Sequence, residues 1–237
     1  MYYRRKPEAG LSRLERTGGV ILLLAFYPLN PLIGKAIRAM AEKLLDFRVT
    51  DGLYFVIYYY IFFVLTAIVF QRLLAKGARR FLDDPSLTLK TAGIGLVAYY
   101  GLVELAARLF APLFKLPENQ NDAAAAALID SAPHMIMIAI IFLGPFVEEA
   151  LFRGLVFGGL KERSRMLAYG VSCILFALVH VWQFAAGARD PAYLLMVVQY
   201  LAPGLVLAWV YEHTGTLWAP VLLHVCVNAL AVLGGLA

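Results

Sequence analysis

Charged residues are scarce in this sequence, and their scarcity excludes most classes of soluble protein. Only 16% of the 237 residues are charged, whereas 62% are hydrophobic, and the mean hydropathy is +0.74. A soluble domain of this length needs more polar surface than that. The sequence therefore indicates a single integral membrane domain over residues 1–237, with the lipid bilayer as its surroundings.

Cysteine is also nearly absent. Cys173 and Cys226 lie in apolar runs without a Cys-x-x-Cys spacing, which argues against a disulfide framework or a zinc knuckle. We interpret both as small apolar residues. The net charge of +5 is explained by basic loops of a membrane protein, so we expect no nucleic acid partner.

Apolar runs long enough to cross a bilayer, about 20 residues, recur along the chain. A weaker run at 18–36 contains Pro28 and Pro31. We predict an all-α, polytopic transmembrane bundle of about seven to eight membrane helices. Residues 1–132 would form its N-terminal helices and loops, and residues 133–237 the core that carries the motifs described below. The clear candidate spans are 53–71, 92–111, 133–157, 167–186, 192–211 and 216–236.

Basic residues concentrate in alternate loops. They dominate the N-terminal tail, residues 72–91 and residues 158–166, but not residues 112–132 or 187–191. The positive-inside rule then predicts a cytoplasmic N-terminus. We expect the protein in the inner (plasma) membrane of a bacterium.

Ionisable side chains inside apolar spans are costly, so they mark candidate functional groups. Glu149 and Arg153 are four residues apart, share a helix face and can pair. Glu148 is rotated by about 100° from Glu149 and can point into a cavity. A purely structural ion pair with a spare glutamate is the alternative.

Two further spans carry polar groups. His180 ends the stretch FALVH, and His224 and Asn228 lie four residues apart in WAPVLLHVCVNA. Glu148 or His180 can deprotonate water, and His224 with Asn228 can donate hydrogen bonds to an oxyanion. Hydrogen bonding between helices is the simpler alternative for the histidines and the asparagine. A proton-coupled transporter uses the same residue types.

These stretches resemble the three motifs of the CPBP family of intramembrane proteases. GPFVEEALFRG, FALVH and WAPVLLHVCVNA correspond to Glu-Glu-x-x-x-Arg, Phe-x-x-x-His and His-x-x-x-Asn, in that order. The family includes the CAAX prenyl endopeptidases and bacteriocin-processing and self-immunity proteins. The resemblance covers about residues 133–237.

The resemblance implies an intramembrane endopeptidase and a role for each matching residue. Glu148 would activate water, assisted by His180. Glu149 and Arg153 would form the supporting pair, and His224 and Asn228 would stabilise the oxyanion. The implied partner is a protein or peptide substrate, prenylated or a leader peptide. The alternatives are a non-catalytic immunity or scaffold protein on the same fold, and a transporter.

The glutamates and histidines of these motifs also raise the question of a metal cofactor. Two carboxylates and two histidines can hold zinc, but the sequence lacks a His-Glu-x-x-His helix, the stronger zinc signal. We therefore expect no metal ligands and no cofactor, with zinc as the alternative.

Helix lengths predict the depth of the site. Glu149 lies some nine residues before the basic segment 158–166, and His224 about eight after the turn at 212–216. At 1.5 Å per residue, both would sit roughly 12–14 Å inside the cytoplasmic helix ends. We therefore expect a site that opens toward the cytoplasm.

Overall fold

The computed structural model describes residues 10–110, 120–131, 133–188 and 191–234. Helices occupy most of these residues and no strand occurs among them, so the predicted all-α fold is confirmed. The helices are α1 (Arg13–Phe26), α2 (Asn30–Leu45), α3 (Asp51–Val69), α4 (Gln71–Asp83), α5 (Pro85–Phe110), α6 (Gln120–Ser131), α7 (His134–Leu160), α8 (Arg165–Ala188), α9 (Val197–Thr214) and α10 (Trp218–Leu233).

The predicted polytopic bundle is confirmed, with differences at both ends of the chain. In the described residues, five helices are long and apolar enough to cross a membrane: α3, α5, α7, α8 and α9 with the turn before it. Helices α1 and α2 meet at 71° and together can form a sixth, broken span. Pro28 and Pro31 lie at this bend, where proline interrupts helical hydrogen bonding. Helix α10 is apolar but has only 16 residues.

Helix α4 occupies a stretch that the sequence indicated only as a basic loop. It is amphipathic, with Leu74 and Gly77 buried and Arg72 and Arg79 exposed. Its buried face lies against the turn before α10, where Thr216 Oγ1 donates a hydrogen bond to the Gly77 carbonyl at 2.8 Å. The loop is therefore a helix that belongs to the bundle.

The three basic segments lie at one end of the bundle, here called the basic end. Glu15, in the first turn of α1, accepts a hydrogen bond from the backbone N–H of Leu73 in α4 at 3.0 Å. Arg165, after the basic turn that follows α7, pairs with Glu212 near the end of α9 at 2.8 Å. The grouping predicted from the loop charges is thus confirmed, while its cytoplasmic location stays a prediction.

Helix α7 is the most buried of the candidate spans and lies at the centre of the bundle. Val147, Ala150, Leu151 and Phe152 are fully buried in the core. The helix widens into π turns at Ala139–Leu143 and Ala150–Phe157, which flank the α-helical stretch Gly144–Glu149. Such π segments occur frequently at functional sites, and here they flank the two glutamates.

Candidate active site

The two adjacent glutamates of α7 occupy different environments. The Glu149 side chain is fully buried, whereas the Glu148 side chain is 13% exposed and lines a cavity. Their Cα–Cβ directions differ because successive helical residues are rotated by about 100°. One carboxylate therefore supports the site from within the core, and the other is open to a ligand.

Glu149 is the centre of a buried polar network. Its Oε1 accepts a hydrogen bond from Arg153 Nη1 at 3.0 Å and lies 2.8 Å from His224 Nδ1. Arg153 is itself fully buried; its Nη2 donates to the Gly204 carbonyl at 3.1 Å, and its guanidinium lies 4.3 Å from the centre of the Phe176 ring. The network ties α7, α8, α9 and α10 together around His224.

The hydrogen bonds of the two histidines determine which ring nitrogen carries a proton. His180 Nδ1 lies 2.7 Å from the Phe176 carbonyl oxygen, which can only accept, so Nδ1 is the donor. His224 Nδ1 lies 2.8 Å from Glu149 Oε1, the oxygen that also accepts a hydrogen bond from Arg153, so this Nδ1 is a donor as well. In each neutral ring, the other nitrogen, Nε2, is then an acceptor. His224 can donate a hydrogen bond from Nε2 only as an imidazolium.

The Nε2 atoms of His180 and His224 both lie near the carboxylate of Glu148. Its Oε2 lies 3.8 Å from His180 Nε2 and 3.9 Å from His224 Nε2. These separations are too long for direct hydrogen bonds, and they leave a point from which one water molecule can reach Glu148 and a histidine. The arrangement is suited to hold and deprotonate water.

Asn228 lies one turn beyond His224 and is held differently from the histidines. Its Nδ2 donates a hydrogen bond to the Ile140 carbonyl at 2.9 Å, in the first π segment of α7. An amide group has two N–H donors, so one N–H remains for a ligand. Asn228 and Glu148 line the same cavity.

The structure thus brings the six predicted residues together. Glu148, His180, His224 and Asn228 line the cavity, and Glu149 and Arg153 lie behind His224. Cys173 is buried and Cys226 exposed, and both are free thiols. Among the described residues, no three His, Cys, Asp or Glu side chains form a group that could hold a metal ion.

The cavity has a volume of about 840 Å³, and much of its wall comes from the N-terminal helices. Sequence reasoning assigned no function to that part of the chain. The available signal was its aromatic content, such as the run Tyr58-Tyr59-Tyr60, which Ile61 separates from two phenylalanines. Apolar spans are often aromatic, so this signal did not single out a site. The tyrosines that line the cavity are Tyr27, Tyr54, Tyr58, Tyr59, Tyr99, Tyr100 and Tyr200.

The cavity extends away from the basic end. Its lining comes from the end of α1, the first half of α3, the second half of α5 and the start of α9, which all lie in the half of the bundle distant from the basic segments. The expectation that the site opens toward the basic end is therefore wrong. Counting residues predicts a depth for Glu149 and His224, but it cannot show which neighbouring helices leave space.

The fold and this cluster define a class: an integral membrane protein with a carboxylate–histidine site inside its helical bundle. Residues 130–230 match the family described as type II CAAX prenyl endopeptidase Rce1-like. Over 117 residues the chain is 32% identical to the Bacillus subtilis (strain 168) protein named "Putative membrane peptidase YdiL". That alignment covers 49% of this chain and 43% of the relative. No solved structure matches the chain.

The family match lies in the same part of the chain as the three motifs. Over these residues the chain is similar to membrane endopeptidases, in agreement with the resemblance that its three motifs carry. The matched region contains the six site residues. The helices before residue 130, which supply much of the cavity wall, lie outside the family match.

Proposed function

We propose that this protein is an intramembrane endopeptidase that hydrolyses a peptide bond with water activated by Glu148. The observation that carries the proposal is the position of Glu148 Oε2, 3.8 and 3.9 Å from the Nε2 atoms of His180 and His224 at the wall of the cavity. The match to a family of membrane endopeptidases over residues 130–230 supports the same class of reaction.

The proposed reaction begins with a water molecule between Glu148 and the two histidines. Glu148 takes one proton from the water while the water oxygen bonds to the carbonyl carbon of the substrate. The carbonyl oxygen takes up the negative charge. When this intermediate collapses, the C–N bond breaks and the proton held by Glu148 passes to the amine nitrogen. The products are a new carboxyl terminus and a new amino terminus.

The histidines and the buried pair have positioning roles in this proposal. The Nε2 atom of His180 or His224 accepts the second hydrogen of the water and fixes its orientation. Glu149 holds His224 through Nδ1, and Arg153 holds Glu149. The Asn228 N–H that does not bond to Ile140 is available to the carbonyl oxygen of the substrate.

We propose that the reaction proceeds without a bound metal. Support comes from the lack of a His-Glu-x-x-His helix, which would be the stronger zinc signal. A zinc-dependent reaction is the alternative, and it predicts loss of activity on chelation.

The proposed substrate is a membrane-associated or lipid-modified peptide that enters in an extended form. A helix hides its carbonyl groups in its own hydrogen bonds, so the scissile segment must unwind before Glu148 can act on it. Prenylated tails and leader peptides both meet this description. The aromatic wall of the cavity suits apolar side chains near the scissile bond.

Cleavage of defined peptides by the purified protein tests the proposal. Three fluorogenic probes separate the substrate classes: a farnesylated C-terminal peptide, a leader-like peptide, and an apolar peptide with a central Gly-Pro pair. We expect internal cleavage of at least one probe, faster with the Gly-Pro pair than without it, and no loss of rate with 1,10-phenanthroline added in roughly millimolar excess. Equal cleavage by wild type and Glu148→Gln would overturn the mechanism.

A further inference from the structure

The first π segment of α7 ends at a proline in the wall of the cavity. In this segment, Ala139–Leu143, backbone N–H groups bond to the carbonyl five residues earlier rather than four. The last such bond joins the Gly144 N–H to the Ala139 carbonyl. The next would reach the Ile140 carbonyl, but its donor would have to be Pro145, which has no N–H. The wide turns therefore end at Pro145, and ordinary α-helical turns follow.

Pro145 leaves the Ile140 carbonyl without a backbone donor. The N–H at the five-residue spacing is missing. The N–H at the ordinary four-residue spacing, that of Gly144, is already bonded to Ala139. Inside a membrane bundle, a backbone carbonyl without a donor costs free energy. A side chain that brings an N–H to the Ile140 carbonyl is therefore held there.

Asn228 of α10 supplies the donor that Pro145 lacks. Its Nδ2 donates to the Ile140 carbonyl at 2.9 Å. A carbonyl oxygen only accepts hydrogen bonds, so this contact places the amide nitrogen, and not Oδ1, against α7. The second N–H of the same nitrogen is thereby fixed in direction. Asn228, Ile140 and Pro145 all line the cavity that also contains Glu148.

The orientation of the Asn228 amide decides whether it can serve the proposed reaction. The carbonyl oxygen of a scissile bond needs a donor already aimed at it as negative charge develops. An amide that rotates freely presents its oxygen to the substrate as readily as its N–H, and the oxygen would repel that charge. With the nitrogen held by Ile140, the rotated form would place Oδ1 against a carbonyl oxygen, and both are acceptors.

We propose that Pro145 is a positioning residue: by leaving the Ile140 carbonyl without a backbone N–H, it orients the Asn228 amide so that one N–H is kept for the substrate carbonyl. The inference rests on the proposed peptidase function. Pro145 contacts no reacting atom and adds no step to the reaction. It acts only through Asn228, so its contribution should disappear when the Asn228 amide is absent.

The test restores the missing N–H with Pro145→Ala and with Pro145→Val, whose side chain fills nearly the space of the proline ring. In each variant the new N–H can bond to the Ile140 carbonyl and release the Asn228 amide. We expect kcat on the apolar Gly-Pro probe to fall at least about tenfold, but no further than the roughly 10²-fold expected for Asn228→Ala, with KM within about twofold. Because the two variants differ in volume and share the N–H, a loss common to both reports on the N–H.

The control variant is Pro85→Ala. Pro85 is the exposed first residue of α5, where a missing N–H leaves no helical carbonyl without a donor. It lies outside the cavity lining. We expect neither kcat nor KM to change in this variant.

A double-mutant cycle separates the proposed role from simple packing. In the Asn228→Ala background, Pro145→Ala should change kcat by less than about twofold, because the group through which Pro145 acts is gone. An equal loss of kcat in both backgrounds would mark a packing role and overturn the proposal. Wild-type kcat in both single variants, Pro145→Ala and Pro145→Val, would overturn it as well.

The outcomes also separate this proposal from the function on which it rests. If Glu148→Gln is inactive while both Pro145 variants keep the wild-type kcat, the positioning role is overturned and the peptidase mechanism stands. If Asn228→Ala keeps the wild-type kcat, the donor role of Asn228 fails, and the role of Pro145 fails with it. Turnover by Glu148→Gln at the wild-type rate would instead overturn the proposed function itself.

Discussion

At the scale of single residues, some side chains of the site hold it in place from the core, and others lie at the cavity wall where the proposed reaction takes place. Arg153 and Glu149 are fully buried and hydrogen-bonded to each other, whereas Glu148, His180 and Asn228 are partly open to the cavity. A fully buried charge is tolerated only with a partner at close range. The supporting pair therefore contributes rigidity, and it fixes the tautomer of His224 through Glu149.

The buried pair predicts a large effect of Arg153→Ala. Removal of one partner leaves the Glu149 charge uncompensated in the core, which costs about 3–5 kcal/mol, and His224 loses its fixed orientation. We expect thermal unfolding well below that of wild type, together with loss of activity. The control is Arg108→Ala, because the Arg108–Glu104 pair is exposed at 77% and 61% and exposed pairs contribute less than about 1 kcal/mol. Wild-type stability of Arg153→Ala would contradict the buried network.

The variant His180→Ala is expected to lose activity with a much smaller loss of stability than Arg153→Ala. The His180 ring stacks on Tyr200 with centres 4.5 Å apart, and its Nε2 points toward Glu148. We expect His180→Ala to lower kcat by up to about 10²–10⁴-fold, the range for the general base that it assists, because the water loses an acceptor that orients it. The unfolding temperature should change far less than for Arg153→Ala. Activity within about twofold of wild type would assign the second acceptor for water to His224 alone.

At the scale of helices, the sequence predicted most of the bundle and missed the parts set by tertiary contacts. The three motif helices follow from apolar runs interrupted by Glu148, His180 and His224, because a charged or polar group in such a run must face the interior. Helix α4 was missed because its charged residues suggest a loop, although Leu74 and Gly77 form a buried stripe. The 71° bend between α1 and α2 depends on packing that the prolines permit but do not specify.

Close helix packing gives a prediction within α5. A Cβ added at Gly95 would lie 2.7 Å from Val210 Cγ2 and 2.9 Å from Leu223 Cδ2, both buried, whereas one added at Gly93 meets nothing within 4 Å. We expect Gly95→Ala to destabilise the protein by about 1–3 kcal/mol through overpacking. Gly93→Ala, two residues away in the same helix, should be neutral or stabilising by up to about 1 kcal/mol. Equal unfolding temperatures for the two variants would contradict the packing of α5 on α9 and α10.

At the scale of the whole molecule, the cavity lies in the half of the bundle distant from the three basic segments. The motifs predicted which residues cluster around Glu148, but not the cavity wall, because that wall comes from helices outside the matched region. The direction of access likewise depends on where the N-terminal helices leave space.

Because the cavity lies away from the basic segments, a substrate is predicted to enter it from outside the cell if the positive-inside rule holds. Cysteine labelling with a membrane-impermeant reagent tests it, in a background without Cys173 and Cys226. We expect Gly159→Cys, exposed at the basic end, to react only from the cytoplasm. Gln183→Cys, which lines the cavity on α8, should react from outside. The reverse pattern would place the cavity on the cytoplasmic side and favour prenylated tails as substrates.

The central claim is that Glu148 activates water while Glu149 supports the site. The most direct test compares kcat and unfolding temperature for Glu148→Gln, Glu149→Gln and, as control, Glu104→Gln, which lies outside the cavity on α5. We predict that Glu148→Gln loses at least about 10²-fold in kcat at wild-type stability. Glu149→Gln should unfold at a lower temperature, and Glu104→Gln should match wild type. Turnover by Glu148→Gln within about twofold of wild type would contradict the account.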